Sequence, residues 1–327
     1  MTNPPTLCAA HADWSVNQAK RRLSWAARIG DLWHIGAPQP VGSPNDLLTR
    51  LHQAASGAPL AFGVDFPLGL PRAYANAAAI ADFPTWLRGL QPDNPLFQVC
   101  DTIADLSLAR PFYPRRAVSG PGHRDAQASA LGFAATEDLS RAVDHPTARR
   151  PGGAPLFWTL GANQCGKAAL SAWRDCLLPG FAARLPLHLW PFEGDFHALL
   201  RPNSITIAET YPAEALIQLD LSLGGSKRRQ SDRAGLAPAL LDTIARLRAT
   251  PSPDLRAVIT DGFGSASTGE DAFDSLLGLL NVISVINGAP ERDRLSPCDP
   301  VEGWVLGQID PPLIKPPPYS PRRTARQ

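Results

Sequence analysis

The segment PLAFGVDFP, Pro59 to Pro67, most narrows what this chain can fold into. Leu60 to Val64 runs without polar alternation, which marks a buried strand, and Pro67 ends it. Ahead of it, between Leu7 and Gly36, lie three short extended segments, TLCAAHADW, RRLSWAARI and DLWHIG. The middle one alternates Leu23, Trp25, Ala27 and Ile29 at the period of a strand, and the short separations predict an antiparallel meander. Between meander and buried strand, SPNDLLTRLHQAAS predicts a helix with Ser43 or Asn45 as N-cap and an apolar stripe at Leu47, Leu48 and Leu51. Strand, strand, strand, helix, strand is an α/β order.

Leu68 to about Leu160 is rich in Pro, Arg and Ala and holds RPFYPRRAVSGPGHR, too broken for a regular element, so an insertion of helices and loops is expected at about residues 70–160. Beyond it, PLFWTLGANQCGKAALSAWRDCLL reads as an extended piece, a glycine turn and a helix. SITIAETYPAEALIQL repeats the strand-to-helix theme. A long helix from Glu270 to about Ile286 precedes the strand-like EGWVLGQI. Residues 1–309 are thus expected to form one domain, and the basic, Pro-rich tail 310–327 is expected to lack packed structure.

At 327 residues the chain can bury a substantial core without staples. Cys8, Cys100, Cys165, Cys176 and Cys298 form an odd set with no CxxC pair, which argues against a disulfide framework and a zinc site and for a reducing cytoplasm. The N-terminus has no basic region followed by an apolar core, and the longest apolar run, Ser275 to Ile286, is too short to span a bilayer. A soluble, cytoplasmic protein with no membrane partner is the expectation. A net charge of +1 does not imply a wholesale polyanion-binding surface, so nucleic-acid contact is expected from local basic clusters.

Three acids end apolar runs: Asp13 after TLCAAHA, Asp65 after LAFGV and Glu209 after SITIA. A carboxylate at the end of a buried strand loses hydration, so it is tied to a cap, a cation or a metal. In GEDAFDSLLGLL, Asp271 and Asp274 share one helical face, beside an apolar stripe of Phe273, Leu276, Leu277 and Leu280. First-turn acids complement the helix dipole, which accounts for Glu270 and Asp271; Asp274 lies further in. Clustered hard oxygen donors without Cys or His suit Mg²⁺ or Mn²⁺.

A meander with an acid on its first strand, a helix, a parallel strand ending in an acid, and a late helix carrying DAFDSL resemble the ribonuclease H-like fold. The DAFDSL piece is similar to the DAADAL helix of Holliday-junction resolvases. GVDFPLGLPRAYA, FWTLGANQCGKAALSAW, LWPFEGD, AETYPAEA, SKRRQSDR, DGFGSASTGEDAFDSLLGLL and EGWVLGQ together resemble the domain of unknown function 429 family (DUF429), predicted nucleases of that fold. The resemblance implies a ribonuclease H-like mixed sheet flanked by helices, with a largely helical insertion. It also implies a hydrolase whose ligands to one or two Mg or Mn ions are Asp13, Asp65, Glu209, Asp274 and Asp271. Asp13, Asp65, Glu209 and Asp274 would be catalytic. AAHADWS lacks the glycine-rich turn of shorter relatives, which leaves Asp261 in AVITDGFG as a rival to Asp13.

Two segments could contact phosphate. GANQCGK, Gly161 to Lys167, has Walker A spacing but carries Ala168 where a magnesium-binding hydroxyl belongs; Gln164 and Lys167 could still hold one phosphate at a helix start. SKRRQSDR offers Lys227, Arg228, Arg229 and Arg233. The aromatic and basic mixture of Arg110, Tyr113, Arg115, Arg116 and Arg124 is a further candidate for single-stranded nucleic acid. The leading expectation is phosphodiester hydrolysis on a nucleic acid or nucleotide. The alternatives are a phosphotransferase or ATPase of the related actin-like fold and a non-catalytic nucleic-acid-binding module.

Overall fold

Strands β1 (Leu7–Asp13), β2 (Arg22–Ile29) and β3 (Leu32–Ile35) form the expected antiparallel meander, with β4 (Gln39–Pro40) pairing antiparallel to β2. The computed structural model describes residues 4–118, 122–160, 165–292 and 299–313. The remaining strands are β5 (Leu60–Val64), β6 (Leu187–Leu189), β7 (Ile205–Glu209) and β8 (Ala249–Pro251). Among the described residues these eight make one mixed sheet, ordered β6-β7-β5-β1-β2-β3-β8 with β4 to the side. β5 runs parallel to β1 and β7 parallel to β5, so the C-terminal ends of β1, β5 and β7 lie side by side. Val64 pairs with both Ala12 and Glu209, which sets Asp13, Asp65 and Glu209 on one edge of the sheet.

Side-chain alternation divides the core into two layers. Cys8, Ala10, Ala12, Leu60, Phe62 and Val64 face one layer, covered by the helix Leu47–Ala55 and by Ala168 to Leu178. Ala9 and Ala61 face the other, covered by the helices Ala237–Arg246 and Thr268–Ile286. The second face carries small residues because the long helix lies close against it. A methyl group on Gly63 would come within 2.7 Å of Val282, and one on Gly278 within 2.2 Å of the His11 ring. Ser275 Oγ adds a hydrogen bond to the His11 carbonyl at 3.2 Å.

Thr268–Ile286 is buried on more sides than a single stripe, since it packs on β1, β2 and β5 and also on the helix Pro212–Gln218. Phe273, Leu276, Leu277, Leu279, Leu280, Val282, Ile283 and Val285 are all fully buried, each contributing about 1.5–3 kcal/mol by burial. Among the described residues no helix is long and apolar enough to cross a membrane.

Between β5 and β6 the chain forms short helices, Arg72–Ala77, Phe83–Arg88 and His123–Ala130, with 3₁₀ turns and irregular runs. Three local expectations need correction. The Leu47–Ala55 helix is entered from Asp46, which accepts from Arg50 at 2.9 Å, and not from a Ser43 or Asn45 cap. EGWVLGQI is not a strand: its chain turns back on itself, Gln308 N donating to Val305 O at 3.1 Å and Trp304 Nε1 to Gln308 O at 2.8 Å. The start of the tail is docked, Arg149 holding Asp310 at 2.6 Å and Leu313 N donating to Pro146 O; residues 314–327 lie outside the described residues.

Candidate functional site

The period of two that sends Ala9 and His11 toward the long helix sends Asp13 the same way, and Asp65 follows Ala61 and Gly63 likewise. On the helix, Asp274, Gly278 and Val282 repeat every four residues, and the last two touch His11 and Gly63. Asp274 therefore meets the strand ends one turn before Gly278. Asp13 and Asp274 are 6 % and 5 % exposed, and Asp65 is partly buried.

These carboxylates repel and desolvate one another. Burial, then Asp65, Asp274 and Asp271, hold Asp13 well above the usual carboxylate range. Burial raises Asp65 to about 7, although the Trp14 amide donates to its Oδ1 at 2.6 Å and Asp13 hydrogen-bonds it. A carboxyl-to-carboxyl hydrogen bond needs a proton, so the Asp13–Asp65 pair, both members raised mainly by burial, titrates as one unit that holds a shared proton more readily than isolated carboxylates do. Burial lifts Asp274 to about 6 despite its ion pair with Lys227. Asp271, one turn outward, is raised mainly by burial.

Lys227 supplies the compensating cation. Its ammonium contacts Asp274 Oδ2 and lies 3.5 Å from Glu270. Burial opposes its charge, but Asp274 and then Glu270 outweigh that and raise its pKa. Arg228, 3.9 Å from Glu270, is largely exposed, and Arg229 pairs with Asp232 at 2.7 Å.

Arg233 is a different residue from its neighbours in SKRR. It is 1 % exposed and donates to the carbonyls of Gly262, Gly264 and Lys227, so it braces this loop and is not open to a phosphate. Asp261 is exposed, caps the helix Pro253–Thr260 and accepts from Gln230, which removes it as a rival to Asp13.

Glu209 does not join the cluster. Both its oxygens accept from the buried Arg141 guanidinium, at 2.6 and 2.7 Å, and Oε2 also accepts the Leu68 amide at 2.7 Å. Arg141 in turn pairs with Asp144 at 2.8 Å; burial opposes its charge, and Asp144 and Glu209 outweigh that. With its charge neutralised by a bidentate guanidinium, Glu209 fixes the turn that follows Asp65 and is not an open ligand. Asp65, Arg141, Asp144, Glu209, Cys165 and Tyr211 also border a cavity of about 60 Å³.

Gln164 lies outside the described residues. Lys167 is partly buried in the helix Cys165–Ala172, where Gly166 lies against the Leu156 carbonyl, so packing accounts for that glycine without a nucleotide. Of the aromatic and basic mixture, Arg124 stacks on Trp158 at 5.1 Å and Arg115 donates to Val99 O. The cysteines among the described residues are free, and burial pushes Cys165 and Cys176 up to about 12, away from nucleophilic use.

Two residues escaped the sequence reading. Arg141 was signalled only by the rule that a buried strand-end acid needs a partner. His11, fully buried, bonds Thr210 Oγ1 at 2.7 Å and is driven down to about 3 by burial.

Among the described residues no group of three or more His, Cys, Asp or Glu side chains is arranged to hold a metal ion as it stands. Asp13 hydrogen-bonds Asp65, and Asp274 is paired with Lys227. The donor chemistry nonetheless fits a hard divalent ion. Asp274 Oδ1 and Asp271 Oδ2 are buried with no hydrogen-bond partner, and every donor is a carboxylate. No family model matches the chain, and comparison with curated proteins and with solved structures found no match either.

Proposed function

We propose that this protein is a divalent-metal-dependent hydrolase of phosphodiester bonds, a nuclease, with Asp13, Asp65 and Asp274 as its principal ligands and Asp271 beside them. The observation that carries the reading is the convergence of three carboxylates from two adjacent parallel strand ends and one helix, at a mutual electrostatic cost that a cation would relieve. The meander, the parallel fourth strand and the acid-bearing late helix support the finer description of the sheet as ribonuclease H-like, as in the family the motifs resemble. Nucleic acid is the substrate this reading favours.

A bound Mg²⁺ or Mn²⁺ would polarise the phosphodiester and activate water. Asp13, Asp65 and Asp274 would hold the ion, with Asp65 oriented by the Trp14 amide. Glu209 and Arg141 hold the turn behind Asp65, as positioning residues. The exposed Arg228 and Arg229, in the loop that carries Lys227, would supply positive charge for substrate phosphates.

The test is cleavage of single-stranded, duplex, hybrid and branched substrates with Mg²⁺ or Mn²⁺. Activity is expected in wild type and at background in Asp65→Asn and Asp274→Asn. Equal cleavage by wild type and Asp65→Asn, or none by wild type on any substrate, refutes the reading.

A further inference from the structure

We propose that the Lys227 ammonium is a built-in occupant of the carboxylate site, which a divalent ion must displace; this deepens the metal-dependent reading and rests on it. The ammonium contacts Asp274 Oδ2, an oxygen a cation would claim, and lies 3.5 Å from Glu270 at the same helix start. Asp274 Oδ1 remains buried without a partner, so the ammonium leaves the cluster's binding capacity unfilled. One positive charge stands where two could.

The loop is built so that only the side chain needs to leave. Arg233 clamps the Lys227 carbonyl from inside, and Ser226 N donates to Asp232 Oδ2 at 2.7 Å on the other side, with Arg229 on the same carboxylate. The backbone is therefore anchored both before and after Lys227. Its side chain, 42 % exposed, swings on a flexible four-carbon stem. Arg228, 74 % exposed next to it, is a positive charge that does not depend on where the Lys227 side chain lies. A permanent structural ion pair predicts something different: its removal would destabilise the fold and leave metal affinity unchanged.

Two measurements decide between them. Calorimetric titration of EDTA-stripped protein with MnCl₂ at pH 7.5 is expected to show tighter binding in Lys227→Gln than in wild type, by at least about tenfold, and loss of binding in Asp274→Asn. On wild type alone, mass spectrometry of lysine acetylation by a soluble acylating reagent is expected to show Lys227 labelled several-fold faster with Mn²⁺ than with EDTA. Lys227→Gln that melts cooperatively yet binds Mn²⁺ no tighter than wild type overturns the proposal, as does unchanged labelling in metal-bound wild type. Either result leaves the metal-dependent reading standing. Absence of Mn²⁺ binding in both wild type and Lys227→Gln overturns the two together.

Discussion

Removing the acid at Asp65 should stabilise the metal-free protein above neutral pH. Asp65 titrates near 7 when folded against an ordinary 3.8, so between those values the folded state binds more protons than the unfolded state. Stability associated with this group is complete below about pH 4 and is lost as pH rises to 7, by about 4 kcal/mol when Asp65 is taken alone. His11 works in the opposite direction. Its folded value near 3 against 6.5 makes stability rise from about pH 3 to 6.5, by a comparable amount, so the wild-type profile alone partly cancels. The difference between wild type and Asp65→Asn cancels the His11 contribution and reports the Asp13–Asp65 pair. The carboxamide introduced by Asp65→Asn can still accept the Trp14 amide through Oδ1 and can donate to Asp13, so the geometry survives. Urea unfolding in EDTA, followed by tryptophan fluorescence from pH 4 to 8, should show the variant overtaking wild type as pH rises and exceeding it by a few kcal/mol at pH 8. Parallel profiles, or a variant less stable than wild type at pH 8, would refute the account of a strained carboxylate cluster.

Two further outcomes follow from the packing. Arg141→Met leaves Glu209 and Asp144 buried without their cation and is expected to cost about 3–5 kcal/mol in urea unfolding at pH 7; a loss below 1 kcal/mol would mean the pair is not the buttress described. Gly278→Ala drives a methyl group into the His11 ring and should cost about 1–3 kcal/mol or more, while Ala272→Ser, on the partly exposed first turns of the same helix, should stay within about 0.5 kcal/mol. Equal melting temperatures for these two variants would show that the helix does not lie as close to β1 as Gly278 implies.

The sequence carries the acid cluster further than it carries its surroundings, for a physical reason. Strand alternation and the helical repeat are local, so the parity of Ala9, His11 and Asp13, of Ala61, Gly63 and Asp65, and the spacing of Asp274, Gly278 and Val282 are all readable before any contact is known. The partners of buried charges are not local. Arg141 reaches Glu209 across 68 residues from an irregular stretch with no period, and Arg233 looks like one more surface cation until Gly262 and Gly264 close over it. EGWVLGQI failed for a related reason, since an apolar run fits a buried turn as well as a strand.

Strand-end acids therefore divide by what reaches them. Asp65 and Glu209 end neighbouring parallel strands, each following a buried apolar run, and by sequence they are equivalent. The Arg141 guanidinium bonds both oxygens of Glu209, whereas Asp65 meets a backbone amide and another acid. A carboxylate whose charge is neutralised by a bidentate guanidinium becomes framework; one that must share a proton with its neighbour retains an affinity for cations. The same distinction separates Asp274, whose second oxygen has no partner, from Asp144, which Arg141 occupies on both sides. Chemistry at this site is thus set less by where the acids fall along the chain than by which of them the arginines of the insertion fail to reach.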